Sequence, residues 1–362
     1  MRLLAVIPEV SLSEARIQLK FLEACKYNLQ LQDNSRILIL FDSTSDAIVR
    51  MIKAAIARSH YDVEFFFLGS QRPYRTIPEG LEEKARGVDA VIGLYSYDDH
   101  DDWHMLELEF RMNVISLMQT MPLRYAHAPG LSQDMLANGS FQCNFKRMAE
   151  DAEAILKALE EARSIRITSR RGTDFRIELT SGMKFETDAV IVPPGLETPG
   201  KTGNWPPGEV WVESYEKKEG VGSVPVRICS RGRIVCDLCV GGITATVNPE
   251  APISIDVDSD GWLKSYDSPD PRFRRIREDW TVDAAKWKVR PYTQELGIGL
   301  NTRARVGTGN LLEDEKATGT CHVAVGSYRS HTDFLIDKPT LKVTYTNGSV
   351  KSIMKDGKLE LA

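Results

Sequence analysis

The tightest constraint on what this chain can fold into is a change of hydrophobic rhythm near residue 163. Before it, short apolar runs alternate with stretches whose apolar residues recur every three or four positions, the pattern of strands interleaved with amphipathic helices. The runs at 36–41, 63–68 and 90–94 read as buried strands and 113–117 as a further one, while 45–59, 81–86 and 146–163 read as helices. An opening helix carries Leu12, Ala15, Leu19, Leu22 and Cys25 at helical spacing, with Ser11 at the N-cap and Glu14 three residues on. Alternation of this kind builds a parallel sheet wrapped by helices.

Beyond residue 163 the apolar runs shorten and turn signals multiply. Strands are expected at 164–168, 175–179, 189–191, 209–212, 224–229, 233–238, 253–257, 322–325 and 341–345, with one helical insertion over 271–289. Asn347-Gly348 and Asp356-Gly357 mark hairpin turns. The expected architecture is an α/β N-terminal domain with a Rossmann-like parallel sheet (residues 1–163), followed by a mainly β (α+β) domain (residues 164–362).

Charge and composition exclude several classes of partner. With 46 Lys+Arg against 51 Asp+Glu, the net charge of −5 gives no electrostatic reason to expect nucleic acid or an anionic membrane. No apolar run approaches the roughly eighteen residues of a membrane helix, and the stretch 3–7 is too short for a signal-peptide core. The cysteines (Cys25, Cys143, Cys229, Cys236, Cys239, Cys321) are scattered, as suits a reducing, cytoplasmic location. Cys236 and Cys239 have CxxC spacing but no second ligand pair, which favours core packing over a zinc ribbon. Arginines interleave with Phe273, Ile276 and Trp280, yet Glu278 and Asp279 intervene, so an amphipathic helix is expected rather than a nucleic-acid surface. Gly307-Thr308-Gly309 lacks the context and the lysine of a phosphate loop.

With only six histidines, imidazole chemistry can be searched exhaustively. His60 falls at a helix end and His127 in a loop near Pro129, both with surface readings. His100 and His104 sit in the acidic run from Asp98 to His104, read as a solvated charge run that could also reach over a site. His331-Thr332-Asp333 differs, because i, i+2 spacing on a strand puts imidazole and carboxylate on one face. His322 lies nine residues earlier in another strand-like run. Mixed imidazole and carboxylate donors suit Zn, Mn, Co or Fe without thiolates. Further carboxylates are offered by Glu295, followed by glycines that let the backbone turn, and by Glu313-Asp314-Glu315.

This constellation resembles the aminopeptidase T-like metallopeptidases. The likeness runs over roughly residues 170–335, through Gly172-Thr173-Asp174-Phe175, Asn204-Trp205-Pro206-Pro207-Gly208-Glu209-Val210, Glu295-Leu296-Gly297-Ile298-Gly299-Leu300-Asn301, Gly319-Thr320-Cys321-His322-Val323-Ala324-Val325-Gly326 and His331-Thr332-Asp333. The resemblance implies a centre of one or two divalent ions held by Glu209, Glu295, His322, His331 and Asp333. Glu295 would also lie near the reacting water, with Tyr328 as the active-site tyrosine. The stretch from His322 to His331 is shorter than in the aminopeptidases. The compact 2,5-dihydroxypyridine dioxygenases, which bind one iron, are a second resemblance, but there the positions matching Glu295 and His322 look to be histidine and serine. Relatives also include hydrolytic deaminases of nitroaromatic amines.

The expected function is therefore a metal-dependent hydrolase in which the metal activates water against a small amide, peptide or aromatic amine, the partner being a small molecule or short peptide. A mononuclear Fe(II) dioxygenase built on His322, His331 and Asp333 is the alternative, and a non-catalytic small-molecule binding protein the second alternative. The family resemblance further implies a homodimer.

Overall fold

The runs Arg36–Phe41 and Ala90–Gly93 offer almost no polar face, so both sides of any sheet they form must be covered. In the computed structural model, which describes residues 12–57, 59–70, 72–95, 104–180, 183–191, 202–218, 222–241, 245–327 and 330–361, they lie at the centre of a parallel sheet. Its spatial order is Asp62–Phe67, Arg36–Phe41, Ala90–Gly93, Arg124–His127, Thr202–Asn204. Leu38, Leu40, Val91 and Tyr125 pack against Phe110, Val114 and Met118 of the helix His104–Gln119.

That helix corrects the strand expected over 113–117. Its run of β-formers looks strand-like locally, but Phe110, Val114 and Met118 bury at a spacing of four, which only a helix brings to one side. The opening helix, Leu12–Glu23, is also rotated from expectation: Ile17, Phe21, Ala24 and Cys25 are buried, whereas Leu19 is exposed. The expected N-cap Ser11 lies outside the described residues.

The chain divides into two compact units, the second holding residues 143–190 and 206–362 and the first most of the remainder. In the second unit an eight-stranded antiparallel sheet runs from Leu263–Asp267 through Ile253–Val257, Ser230–Cys236, Asp174–Glu178, Ala162–Thr168, Thr340–Tyr345 and Val350–Lys355 to Lys358–Leu359. Asp356 and Gly357 both have positive φ (45° and 76°), as the expected hairpin turn requires. A five-stranded antiparallel sheet has the order Ser330–Asp337, Thr320–Ser327, Tyr292–Gly299, Glu209–Glu213, Lys184–Thr187. The helix Phe145–Leu159 buries Phe145, Met148, Ala152, Ile155 and Leu159 and packs on the last two of these strands. The helix Arg274–Trp287 buries Ile276 and Trp280, the indole lying 5.9 Å from the Phe334 ring.

Three expectations in this half are corrected. Residues 189–191 form no strand, and a strand over 224–229 is interrupted because Gly222–Pro225 ends at a proline and the next begins at Ser230. Tyr292–Gly299, read as a glutamate followed by a glycine turn, is a strand buried along its whole length. No described helix is long and apolar enough to cross a membrane.

In the first unit, Trp205 is fully buried, edge-on to Phe21 and Phe141 at 5.6 and 5.1 Å, and its indole N–H donates to Asn28 Oδ1 at 2.7 Å. Trp205→Phe should keep most of the apolar contact but lose the donor, costing about 1–3 kcal/mol, and Trp205→Ala about 3–5 kcal/mol. Urea unfolding followed by circular dichroism checks both magnitudes and their order.

Candidate functional site

Cross-strand register assembles the site on one face of the five-stranded sheet. Glu295 pairs with Glu213 on one side and Ala324 on the other, and Ala324 pairs with Asp333. One row along, Gly297 sits between Trp211 and His322, while Gly326 pairs with His331. Residues two apart on a strand share a face, so polar groups on neighbouring strands converge over small residues at 297, 324 and 326. The glycine after Glu295 therefore serves close approach rather than a turn: a Cβ at Gly297 would overlap Glu209 Oε1 and the His322 ring.

The donor atoms lie close together. His322 Nε2 is 3.2 Å from Glu209 Oε1 and 3.3 Å from Glu295 Oε1, while His331 Nε2 is 3.7 Å from both Glu295 Oε2 and Asp333 Oδ1. Two sets of candidate ligands result, Glu209–Glu295–His322 and Glu295–His331–Asp333, each with its atoms within 4.8 Å of one another and with Glu295 common to both. Glu209 Oε1 and Asp333 Oδ1 are buried without a hydrogen-bond partner, the condition of donor atoms shaped for a cation.

The structure thus brings together Glu209, Glu295, His322, His331 and Asp333. Tyr328 lies outside the described residues, as do residues 96–103 of the acidic loop. His127 is no loop residue. It ends the strand Arg124–His127, is 2% exposed beside the Tyr95 and Tyr125 rings, and burial holds its pKa well below the usual value. Of the run Glu313-Asp314-Glu315, Glu313 pairs with Arg305 at 2.8 Å and Asp314 accepts from Thr308 and Gly309, so both serve the local turn.

Sequence reasoning missed four contributors. Lys316, 1% exposed at the side chain, pairs with Glu209, with Glu315 at 2.9 Å and with Asp188 at 3.3 Å. Asp188 accepts from the backbone N–H groups of Gly208 (2.8 Å) and Glu209 (2.9 Å), fixing where the Glu209 strand starts. Glu213, opposite Glu295, accepts from the Tyr215 hydroxyl at 2.6 Å. A lysine six residues from the nearest sequence-assigned ligand, in a charged run, carries no local signal of burial.

The charges compete strongly. Burial pushes Glu209 up to about 8, partly offset by Lys316 and His322. Burial and the Glu295 charge push Glu213 up to about 7. Burial works against protonated His322, but the charge of Glu209, the Glu295 hydrogen bond and Asp333 outweigh it and raise its pKa to about 10. Burial likewise opposes a raised pKa at His331, and the charges of Asp333 and Glu295 outweigh it. At Glu295 burial is overcome by the His322 hydrogen bond and the His331 charge, which hold it below its usual value.

Neither a protein-family model nor a curated protein matches the sequence. Solved structures match in fold. The 2,5-dihydroxypyridine dioxygenase from Pseudomonas putida KT2440 aligns with a TM-score of 0.67 at 14% identity, covering 98% of this chain and 99% of that one. Wild-type AmpT from Thermus thermophilus aligns with a TM-score of 0.66 at 13% identity, covering 96% and 98%. The chain carries the fold of both. At this identity the likeness is a distant structural resemblance, and chemistry has to be argued from the site.

Two outcomes follow. Gly297→Ala should disable the site, because the added methyl takes the space where Glu209 and His322 meet; unchanged divalent-ion uptake by a folded G297A protein, measured by equilibrium dialysis, would contradict this geometry. Raised folded-state values at Glu209 (about 8), Glu213 (about 7) and His322 (about 10) mean that the fold binds more protons than the unfolded chain over these ranges. The protein without added cation should therefore lose stability as pH rises from roughly 6 to 9. The opposite shift at Glu295 acts only in the acid range. Thermal melts across that window, in chelator, check the sign.

Proposed function

We propose that this protein is a metal-dependent hydrolase that activates water against a small amide, short peptide or aromatic amine. The observation that carries the reading is the pair of carboxylate–imidazole triads meeting at Glu295. Glu209, Glu295 and His322 would hold one divalent ion, and Glu295, His331 and Asp333 another. The oxygens of Glu209 and Asp333 that lack a hydrogen bond fit such ions, and a thiolate-free set of imidazoles and carboxylates suits Zn, Mn or Co. These ions lower the pKa of a water ligand to about 7 and polarise the group under attack.

The chain's own residues set the geometry. Glu295 lies between the two imidazoles with its pKa depressed, so it stays anionic and can orient water beside both triads. Asp188 fixes the backbone of Glu209 and thereby the placement of its carboxylate. Tyr328, which the family resemblance alone assigns, would donate a hydrogen bond to the oxyanion; removing one such donor in Tyr328→Phe should lower kcat about 10²–10³-fold.

Elemental analysis of purified protein, together with release of amino acids or ammonia from peptides, amides and aromatic amines, tests the reading. Divalent ions should be present, and His331→Ala and Asp333→Ala should each lose one ion and the turnover. Ion-free protein, or activity indifferent to both substitutions, would overturn it. A second reading has its own observation: His322 and His331 both face Asp333, at 3.9 and 3.7 Å, the two-histidine, one-carboxylate set of Fe(II) oxygenases, in a fold shared with a dioxygenase. Oxygen uptake by iron-loaded protein on adding a hydroxylated aromatic or pyridine ring would decide for it. Tight ligand binding without any turnover would decide for a binding protein.

A further inference from the structure

We propose that Lys316 is a built-in cation that makes the Glu209–Glu295–His322 triad the weaker of two metal sites, so that ions load in order, the Glu295–His331–Asp333 triad first. The inference rests on the two-triad reading above and goes beyond it by ranking the sites and naming what ranks them.

The ammonium is fixed from several sides. Lys316 follows the short helix Leu311–Asp314, and its carbonyl accepts from the Asn301 backbone N–H at 2.7 Å. Its Nζ is shared among Glu209 Oε2, Glu315 Oε1 and Asp188 Oδ2, all buried. The last two partners keep it in place whatever Glu209 does. One oxygen of Glu209 is thereby engaged, leaving Oε1, the atom facing His322 and lacking a hydrogen bond, for an ion. An ion there has a fixed positive charge across a single carboxylate, in a buried setting where repulsion between like charges is poorly screened.

The other triad has a different surrounding. His331 is faced by Asp333, Glu295 and Glu213, and by the His322 imidazole, which lies within 4 Å of ligands in both triads and so does not rank them. Among the described residues, Lys316 forms no ion pair with Asp333, and its charge is felt in this triad at the shared Glu295 rather than at a ligand of its own. The local field there favours a cation, and nothing on that side duplicates the lysine. In the ion-free protein the same ammonium compensates Asp188, Glu209 and Glu315, which explains why a lysine is tolerated in a cation site.

Calorimetric titration of chelator-treated protein with Zn²⁺ or Mn²⁺ tests the ranking. Wild type should bind in two steps, the second weaker by about tenfold or more; His322→Ala should erase the weak step and His331→Ala the tight one. Lys316→Met should tighten the weak step by about tenfold, whereas Lys316→Arg, which keeps the charge, should preserve the gap. One ion in wild type and two in K316M would be the stronger form of the same result. Equal steps in wild type, a gap unchanged in K316M, or loss of the weak step in H331A instead of H322A would overturn the inference while leaving the metal reading intact. Wild type that takes up no divalent ion would overturn both. Should K316M not fold, Lys316→Gln removes the same charge while keeping a polar group and carries the same expectation, and the histidine variants assign the steps.

Discussion

The site depends on one constraint, that carboxylates withdrawn from water must be compensated by positive charge. Glu209, Glu295, Asp333, Asp188 and Glu315 are all buried in the second unit. Lys316 and the two imidazoles are the positive groups set among them. Taking each charge out of water costs several kcal/mol, so such a cluster is expensive for structure alone. Replacing it with apolar side chains of similar volume would serve packing as well or better. Its presence is a reason to look for function, and the oxygens of Glu209 and Asp333 that lack a hydrogen bond leave room for a cation.

Strand pairing solves the steric half of the problem. Adjacent strands lie about 4.8 Å apart, too close for facing polar side chains to surround an ion unless some positions are nearly empty. Gly297, Ala324 and Gly326 provide that space, each next to a larger polar partner across the ladder. The sheet is therefore both scaffold and cavity, and the site stands on paired strands rather than on a loop. Precision follows, since each donor's backbone is fixed by hydrogen bonds to its neighbour.

Legibility in the sequence followed the range of the interactions. His331 and Asp333 were readable because their relation is local, two residues along a strand. The parallel sheet was readable because fully apolar runs leave few alternatives. Glu295 was placed in a turn because glycine signals freedom locally, whereas Gly297 is required by Glu209 and His322, residues 88 and 25 positions away in the chain. The helix His104–Gln119 was misread in part because β-branched composition competes with a spacing of four that shows only over a longer window. Lys316 could not be read at all, since its burial is set by Asp188 and Glu209, more than a hundred residues upstream.

A fold shared at nearly full length with a dioxygenase and with AmpT cannot by itself select a reaction. What differs between such chemistries is the donor set. A face of two histidines and one carboxylate leaves positions open for oxygen and substrate around one iron. Adding Glu209 and Glu295 to that face supplies enough oxygen donors for two ions. Glu295 is the pivot of this distinction, because it alone belongs to both triads. A carboxylate at that position gives the two halves a shared anionic ligand, which an imidazole there would not, and the proposed reaction rests on that difference.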